Sequence, residues 1–164
     1  MNWSRAFARQ ACADFEARDW LLENPSLPPC QQMHFLQMAM EKTAKAHLID
    51  AGSDPASLQS SHAYTAKVIP IIVKDGLGRG SDVKPAWLMK AIAALARRIE
   101  LLHPSVDDAG AVPSNCEYPW ENAAREVLVP ADFDFRLDLS GKPAVTMIKE
   151  TRIRAMQLST RDVP

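Results

Sequence analysis

The residues best suited to chemistry in this sequence are an arginine and a histidine that lie close together, Arg98 and His103. Histidine gives and takes protons near neutral pH, because its unperturbed pKa is about 6.5. The planar guanidinium of arginine matches the oxygens of a phosphate group. Metal-free cleavage of RNA needs a group that moves the 2′-hydroxyl proton and positive charge beside the phosphorus. We therefore take His103 as a candidate general base or acid and Arg98 as a candidate phosphate clamp.

These residues and their neighbours also have structural interpretations. His103 could cap the C-terminal end of a helix, where a partly charged imidazole interacts favourably with the helix dipole. Arg97 is a candidate nucleotide-binding residue, but with Glu100 it also fits a solvated helix face. Tyr118 and Trp120 could stack on nucleotide bases, as aromatic residues do in single-strand binders, or cover the core as an aromatic plug.

The other histidines and the cysteines do not have the spacing of a metal site. His47 falls on the apolar side of a predicted helix, where a hydrogen-bonded core histidine is the usual role. His62 is expected to help start a helix, and His34 to be exposed. The three cysteines are odd in number and include no C-x-x-C pair, which predicts neither a disulfide framework nor a zinc site. We expect no metal and no cofactor.

Length and charge exclude some classes of protein. The formal net charge is −1, so bulk attraction to nucleic acid or to an anionic membrane is not expected, and any nucleic-acid contact would be local. The 164 residues suit one domain, 1–164. No apolar run approaches the length of a membrane span, and the N-terminus has no apolar signal region. We expect a soluble, cytoplasmic protein with no membrane partner.

Hydrophobic periodicity predicts an all-α, up-and-down bundle of about five helices. The predicted helices cover residues about 3–22, 29–51, 60–74, 85–103 and 142–158. A polar loop is predicted at 53–61. The apolar positions of the last helix are Val145, Ile148, Ile153 and Met156.

The second predicted helix should be the central element, because it is apolar around most of its circumference. Its remaining polar strip consists of His34, Gln37, Glu41 and Lys45. Glu41 and Lys45 form an i,i+4 pair in the favourable order.

Between the fourth and last helices, residues 105–139 lack helical periodicity. The alternating Phe133, Phe135 and Leu137 fit one side of a short extended or β-like strand. A structured segment of this length is expected to cover the core or to shape a site. The glycine-rich stretch 75–84 follows a helix and lacks the phosphate-loop pattern, so a helix–helix connection is predicted there.

The second and third predicted helices resemble the HEPN family of small helical domains. The matching motif reads Ala39-x-Glu41-Lys42-x-x-Lys45-Ala46, then a polar loop, then Ser61-His62. Catalytic members carry R-x4-6-H, and Arg98 and His103 match it with four intervening residues. The family is a generally dimeric α-helical bundle. Its better-understood members are metal-independent ribonucleases that act as toxins or defence effectors.

The resemblance implies a homodimer that acts on or binds RNA or nucleotides, with Arg98 and His103 of two copies in one cleft. It implies a ribonuclease of toxin-antitoxin or defence type. One alternative is a non-catalytic HEPN module that dimerises or binds a partner such as a nucleotidyltransferase, since the apolar Ile99 follows Arg98. Another is a small-molecule binder with a pocket under 105–139. An Arg98 sealed by that segment favours the alternatives, and an Arg98 exposed beside His103 favours the ribonuclease.

Overall fold

The computed structural model describes residues 1–78, 85–106 and 114–161. These residues form an α-helical bundle with a small two-stranded antiparallel sheet before the last helix, which confirms the predicted fold class. The helices are α1 (Trp3–Leu22), α2 (Pro29–Asp50), α3 (Pro55–Gln59), α4 (Thr65–Leu77), α5 (Ala86–Glu100) and α6 (Lys142–Thr160). The strands are β1 (Trp120–Glu121) and β2 (Val127–Leu128).

The helices α2 and α6 share the centre of the bundle. Each contacts the other and also α1, α4 and α5. The central position of α2 was predicted from its apolar circumference, and the structure confirms it. The core is lined from five helices by buried residues that include Phe15, Leu36, Met40, Ile69, Ile92, Ile99 and Met147.

Most of the polar strip of α2 lies inside the bundle rather than on its surface. Gln37, Glu41 and Lys45 are all buried, and His34 is half-buried. Polar side chains can be buried where they bond one another, and these three do so. The predicted Glu41–Lys45 pair is confirmed, but the helical wheel did not indicate that the pair is buried.

The predicted helix over 60–74 is wrong at its start, and part of the predicted polar loop is helical. The Asp54 side chain accepts hydrogen bonds from the backbone N–H groups of Ala56 and Ser57, which caps the short α3. The next helix, α4, begins at Thr65, so His62 lies in the turn before it. In the predicted glycine-rich connection, residues 79–84 lie outside the described residues.

The last helix turns a different face to the core than predicted. The residues that α6 buries are Ala144, Met147, Thr151, Ala155 and Leu158. Val145 and Met156 are more than half exposed, and Ile153 is also exposed. Ala144, Thr151 and Ala155 make part of the buried face small, and Met147 and Leu158 fill the core beside them. Val145, Ile153 and Met156 are left on the outer side of α6.

The segment after α5 covers one end of the bundle. Trp120 pairs with Leu128 across the two strands, and residues 133–139 follow without strand pairing, with Arg136 in the left-handed conformation at a φ of 51°. Phe135 is buried while Arg136 is exposed, so the predicted alternation is present. Residues 107–113 of the predicted non-helical segment lie outside the described residues.

Cys12, Cys30 and Cys116 are free thiols, and burial raises the pKa of Cys116 to about 12.

Among the described residues, no helix has both the length and the apolar character needed to cross a membrane.

Candidate functional site

The two residues predicted to act together, Arg98 and His103, have different partners in the structure. The Nη2 atom of Arg98 donates hydrogen bonds to the backbone oxygens of Phe135 and Arg136, at 3.0 and 2.9 Å. His103 instead stacks on His62. Arg98 therefore fastens residues 135 and 136 to α5 while the residue itself stays exposed, so it is neither sealed, as the alternatives predicted, nor paired with His103, as the ribonuclease interpretation predicted.

His103 lies in the turn after α5 and is 8% exposed. Its Nδ1 accepts a hydrogen bond from the backbone N–H of Ser105 at 3.1 Å. Its ring is nearly parallel to that of His62, with ring centroids 3.8 Å apart. Because α5 ends at Glu100 and the backbone N–H of Leu101 caps it, the His103 ring does not serve as that helix's cap.

Glu41 lies at the centre of a buried polar group on α2. Its Oε1 is 2.8 Å from Nζ of Lys45, and its Oε2 accepts a hydrogen bond from Nε2 of Gln37 at 2.9 Å. The i,i+4 spacing of Gln37, Glu41 and Lys45 places the three side chains one above another on one face of the helix. The carboxylate is thus neutralised and hydrogen-bonded inside the bundle.

His62 joins this group from the turn before α4. Its Nδ1 is 3.0 Å from Oε1 of Glu41, and its side chain is 31% exposed. We refer to Glu41, Lys45, His62 and His103 as the histidine cluster. Its members come from α2, the turn before α4 and the turn after α5, so no single stretch of sequence reveals it.

The pKa shifts of Glu41 and His103 have the directions expected for an ionised carboxylate and for a neutral, buried histidine. Burial acts to raise the pKa of Glu41, but hydrogen bonds and charges from Lys45, Gln37 and His62 outweigh it and lower the pKa. Burial lowers the pKa of His103, and the charge of His62 adds to this effect while Glu41 opposes it. At neutral pH Glu41 is therefore ionised and His103 is uncharged.

The hydrogen bonds assign the proton positions on both rings. An ionised carboxylate only accepts, so Nδ1 of His62 carries the proton that it shares with Glu41. In the neutral His62 ring Nε2 is then free to accept a proton. On His103 the Ser105 N–H occupies Nδ1, so its proton is on Nε2. His62 is thus the potential base, and His103 is a hydrogen-bond donor.

A carboxylate that holds Nδ1–H of a histidine orients the ring and stabilises the imidazolium formed when Nε2 takes a proton. Glu41 and His62 have this arrangement, and His62 is the member of the cluster that solvent reaches. Lys45 moderates the effect, because it already balances the charge of Glu41. The cluster can therefore take up a proton from a bound hydroxyl group.

Among the described residues, Glu41, His62 and His103 form the group whose side chains have the donor atoms to ligate a metal ion. Donor atoms of Glu41, His62 and His103 all lie within 4.8 Å of one another. In the present arrangement, however, the Lys45 ammonium occupies Oε1 of Glu41, and the two imidazole rings are parallel rather than convergent. The hydrogen bonding favours proton transfer over cation binding at this cluster.

The other predicted site residues have contacts of their own outside the cluster. Nη1 of Arg97 is 3.8 Å from Oε2 of Glu100, but Glu100 is buried and accepts from the backbone N–H of Ala66, so the predicted solvated face is wrong for Glu100. Tyr118 is 61% exposed, whereas Trp120 is buried against Phe133 and Phe135. Packing therefore accounts for Trp120, and Tyr118 keeps an exposed ring.

His47 is hydrogen-bonded, as predicted, but it is half-buried rather than part of the core. Its Nδ1 accepts from Nε of Arg154 at 3.2 Å, at the side of the bundle where α2 faces α6. Burial, followed by the charge of Arg154, lowers its pKa. His34 is half-buried rather than exposed, with its Nδ1 3.6 Å from Oε1 of Glu117.

No protein-family model, curated protein or solved structure matches this chain. The HEPN resemblance accordingly stays a prediction from the motif residues. Glu41, Lys45 and His62 belong to that motif, and the structure brings them together in the histidine cluster. Their chemistry depends on a contact between α2 and the connection before α4, which no local sequence pattern reports, so they were not predicted to be catalytic.

Proposed function

We propose that this chain is a HEPN-like protein that binds RNA or nucleotides and cleaves RNA without a metal ion. The observation that carries the proposal is the Glu41–His62 hydrogen bond, which leaves Nε2 of a partly exposed imidazole free to accept a proton. Proton transfer by a positioned histidine is the step that metal-free RNA cleavage requires of the protein. The proposal therefore moves the general base from His103 to His62.

In the proposed reaction, Nε2 of His62 takes the proton of a ribose 2′-hydroxyl group. The 2′ oxygen forms a bond to the adjacent phosphorus as the bond to the 5′ oxygen breaks, which gives a 2′,3′-cyclic phosphate. The 5′ oxygen leaves with a proton from solvent, and the His62 imidazolium returns its proton to solvent. In this proposal the Nε2–H of His103 donates a hydrogen bond to the bound substrate.

Tyr118 is the aromatic residue that suits a base next to this site. The backbone N–H of Cys116 donates to the oxygen of Leu102, which fastens the segment before Tyr118 to the turn that carries His103. Base stacking on an exposed tyrosine tolerates many sequences. Arg97 remains the candidate for a nearby phosphate, and the dimeric, cytoplasmic, toxin-like or defence role belongs to the same proposal.

A second candidate function is a non-catalytic HEPN module that binds a protein partner, such as a nucleotidyltransferase. It is favoured by Arg98, the arginine of the R-x4-6-H motif, because its guanidinium bonds to two backbone oxygens of this chain. An arginine used in this way has fewer donors left for a phosphate. In this alternative the histidine cluster only supports the fold.

The test is cleavage of a mixed-sequence RNA in EDTA by the wild type, His62→Ala and Glu41→Gln, with the product ends identified. We expect cyclic-phosphate ends from the wild type, and a loss of about a hundredfold or more in rate for His62→Ala, the usual contribution of general base catalysis. His34→Ala is the matched control, because His34 is outside the cluster. It should cleave at the wild-type rate.

Two results would contradict the ribonuclease proposal for this substrate. One is a folded wild type that leaves the RNA intact. The other is cleavage that His62→Ala and His34→Ala reduce equally. Either result would favour the partner-binding module, which predicts instead that the purified chain forms a stoichiometric complex with a nucleotidyltransferase of the type that HEPN modules accompany.

A further inference from the structure

A groove that is mostly apolar, unlike the polar histidine cluster, lies where α1 faces α6. It has a volume of about 440 Å³ and is open to solvent along one side. Its apolar lining includes Leu139, Val145, Ile148 and Met156, and Arg18 and Arg152 border it as well. None of these residues belongs to the histidine cluster, so the groove is independent of the proposed ribonuclease site.

The Nε atom of Arg18 is buried without an acceptor among the described residues. The residue as a whole is 7% exposed. The carboxylate of Asp19 has its Oδ1 3.8 Å from Nη1, which is beyond hydrogen-bond distance. Burial lowers the pKa of Arg18, with Asp19 opposing and Arg152 adding to this effect. A buried cation in this state is costly unless an anion joins it.

Arg152 is only partly satisfied. Its Nη2 donates to Asp19 at 2.8 Å, and its guanidinium lies 4.9 Å from the centre of the Phe15 ring. Its Nε is buried and has no acceptor among the described residues. Within the described part of the chain, the groove is lined by one carboxylate, that of Asp19, and by three cationic side chains, those of Arg18, Arg152 and Lys149. Its lining therefore has a net positive charge.

The apolar part of the groove extends from these charges along α6. Val145 and Met156 are more than half exposed, although neighbouring residues of the same helix are buried. Arg152 and Val145 are seven residues apart on α6, which corresponds to roughly 10 Å along the helix axis. An exposed apolar strip beside an unsatisfied cation is complementary to a molecule with a carboxylate head and an apolar tail.

We propose that this groove binds a medium-chain fatty acid, with its carboxylate on Arg18 and Arg152 and its alkyl chain along Val145 and Ile148. The carboxylate provides the acceptor that Asp19 is too distant to provide for Arg18. Guanidinium groups bind carboxylates with two parallel hydrogen bonds, which suits two arginines at one end of a groove. The chain length follows from the short apolar path between Arg152 and Val145.

The experiment is titration calorimetry of the full chain with octanoate and decanoate below their micellar concentrations. Acetate tests the head alone, and decanol tests the tail alone. Each buried methylene strengthens binding by up to about fourfold, so decanoate should bind roughly tenfold more tightly than octanoate. Acetate and decanol should each bind at least about tenfold more weakly than decanoate, because each lacks one part of the ligand.

Two pairs of variants locate the ligand. Arg152→Met should weaken decanoate binding by about tenfold or more, whereas Arg154→Met, which removes the α6 arginine paired with Asp50, should not. Val145→Asp should weaken it similarly, whereas Ile71→Asp, at an equally exposed apolar residue of α4, should not. Circular dichroism of each variant confirms that it is folded.

The proposal is overturned if neither fatty acid gives saturable binding to the folded wild type. It is also overturned if decanol binds as tightly as decanoate, since the arginines would then have no role. Equal losses in both members of either variant pair would show that the fatty acid does not occupy this groove.

Discussion

Two buried charged sites in this bundle differ in how completely their charges are satisfied. On α2, Lys45 and Gln37 bond both oxygens of Glu41, and His62 adds a third contact. On α1, Arg18 is equally enclosed, but its nearest carboxylate is 3.8 Å away. A satisfied buried pair supports structure and orients its neighbours, whereas an unsatisfied buried charge is costly until an acceptor joins it.

The largest expected effect is on the satisfied pair. Lys45→Met removes one partner of a buried ion pair and leaves Glu41 without its counter-charge. We expect a loss of about 3–5 kcal/mol in the free energy of unfolding, measured by urea denaturation. A loss below about 1 kcal/mol would mean that Lys45 contributes no more than a surface charge and that the contrast between the two sites is false.

Acid denaturation should distinguish Glu41 from the second buried carboxylate, Glu100. The pKa of Glu41 is lowered from 4.5, so the unfolded chain binds more protons between the two values. Its stabilisation is present above pH 4.5 and is lost as the pH falls through the folded value. Burial raises the pKa of Glu100, with Ala66 and Arg97 opposing, so Glu100 lowers stability as the pH rises above 4.5.

The measurement is the free energy of unfolding against pH for Glu41→Gln and Glu100→Gln. Relative to the wild type, Glu41→Gln should lose less stability on acidification below pH 4.5. The Glu100→Gln variant should instead lose less stability as the pH rises above 4.5. Parallel curves for the two variants would contradict the assigned directions.

Arg98 is intermediate between Glu41 and Arg18, because its guanidinium lies near the surface and donates hydrogen bonds to backbone oxygens. Arg98→Ala removes the hydrogen bonds to Phe135 and Arg136, and we expect a loss of about 1–2 kcal/mol because these bonds are partly exposed. Hydrogen exchange should become faster in residues 133–137 while the core of α2 is unchanged. Unchanged exchange in that segment would show that Arg98 does not anchor it.

The smallest expected effect is at the unsatisfied charge. Arg18→Met keeps most of the apolar stem and removes a guanidinium whose Nε lacks an acceptor among the described residues, so stability should change by less than about 1 kcal/mol in either direction. The measurement is the same urea denaturation as for Lys45→Met. A destabilisation as large as that of Lys45→Met would mean that Arg18 is satisfied in solution.

The sequence predicted the helices and the central place of α2 because these depend on local apolar periodicity. It failed where tertiary contacts decide the outcome. The Asp54 cap creates α3 inside a polar stretch, and α6 buries the face with Ala144, Met147 and Ala155 rather than the face with Val145 and Met156. Which face of a helix is buried depends on how closely its neighbours approach, and a single-helix pattern does not contain that distance.

The candidate site was predictable only in part. His103 was singled out, but its partner was taken to be Arg98, since the short R-x4-6-H spacing links residues within one segment. A pattern this short recurs by chance about once in a chain with this content of arginine and histidine. The pairing with His62 joins residues 41 apart in the chain, and neither composition nor periodicity reports it.

The central claim is that Glu41 holds the Nδ1 proton of His62 and leaves Nε2 as the base. Long-range ¹H–¹⁵N NMR of ¹⁵N-histidine protein near pH 7.5 reads the tautomer of each ring, with signals assigned by His62→Ala and His103→Ala. We predict the neutral His62 ring protonated at Nδ1 and the His103 ring protonated at Nε2. A neutral His62 ring protonated at Nε2 would contradict the account, because the base would then be blocked.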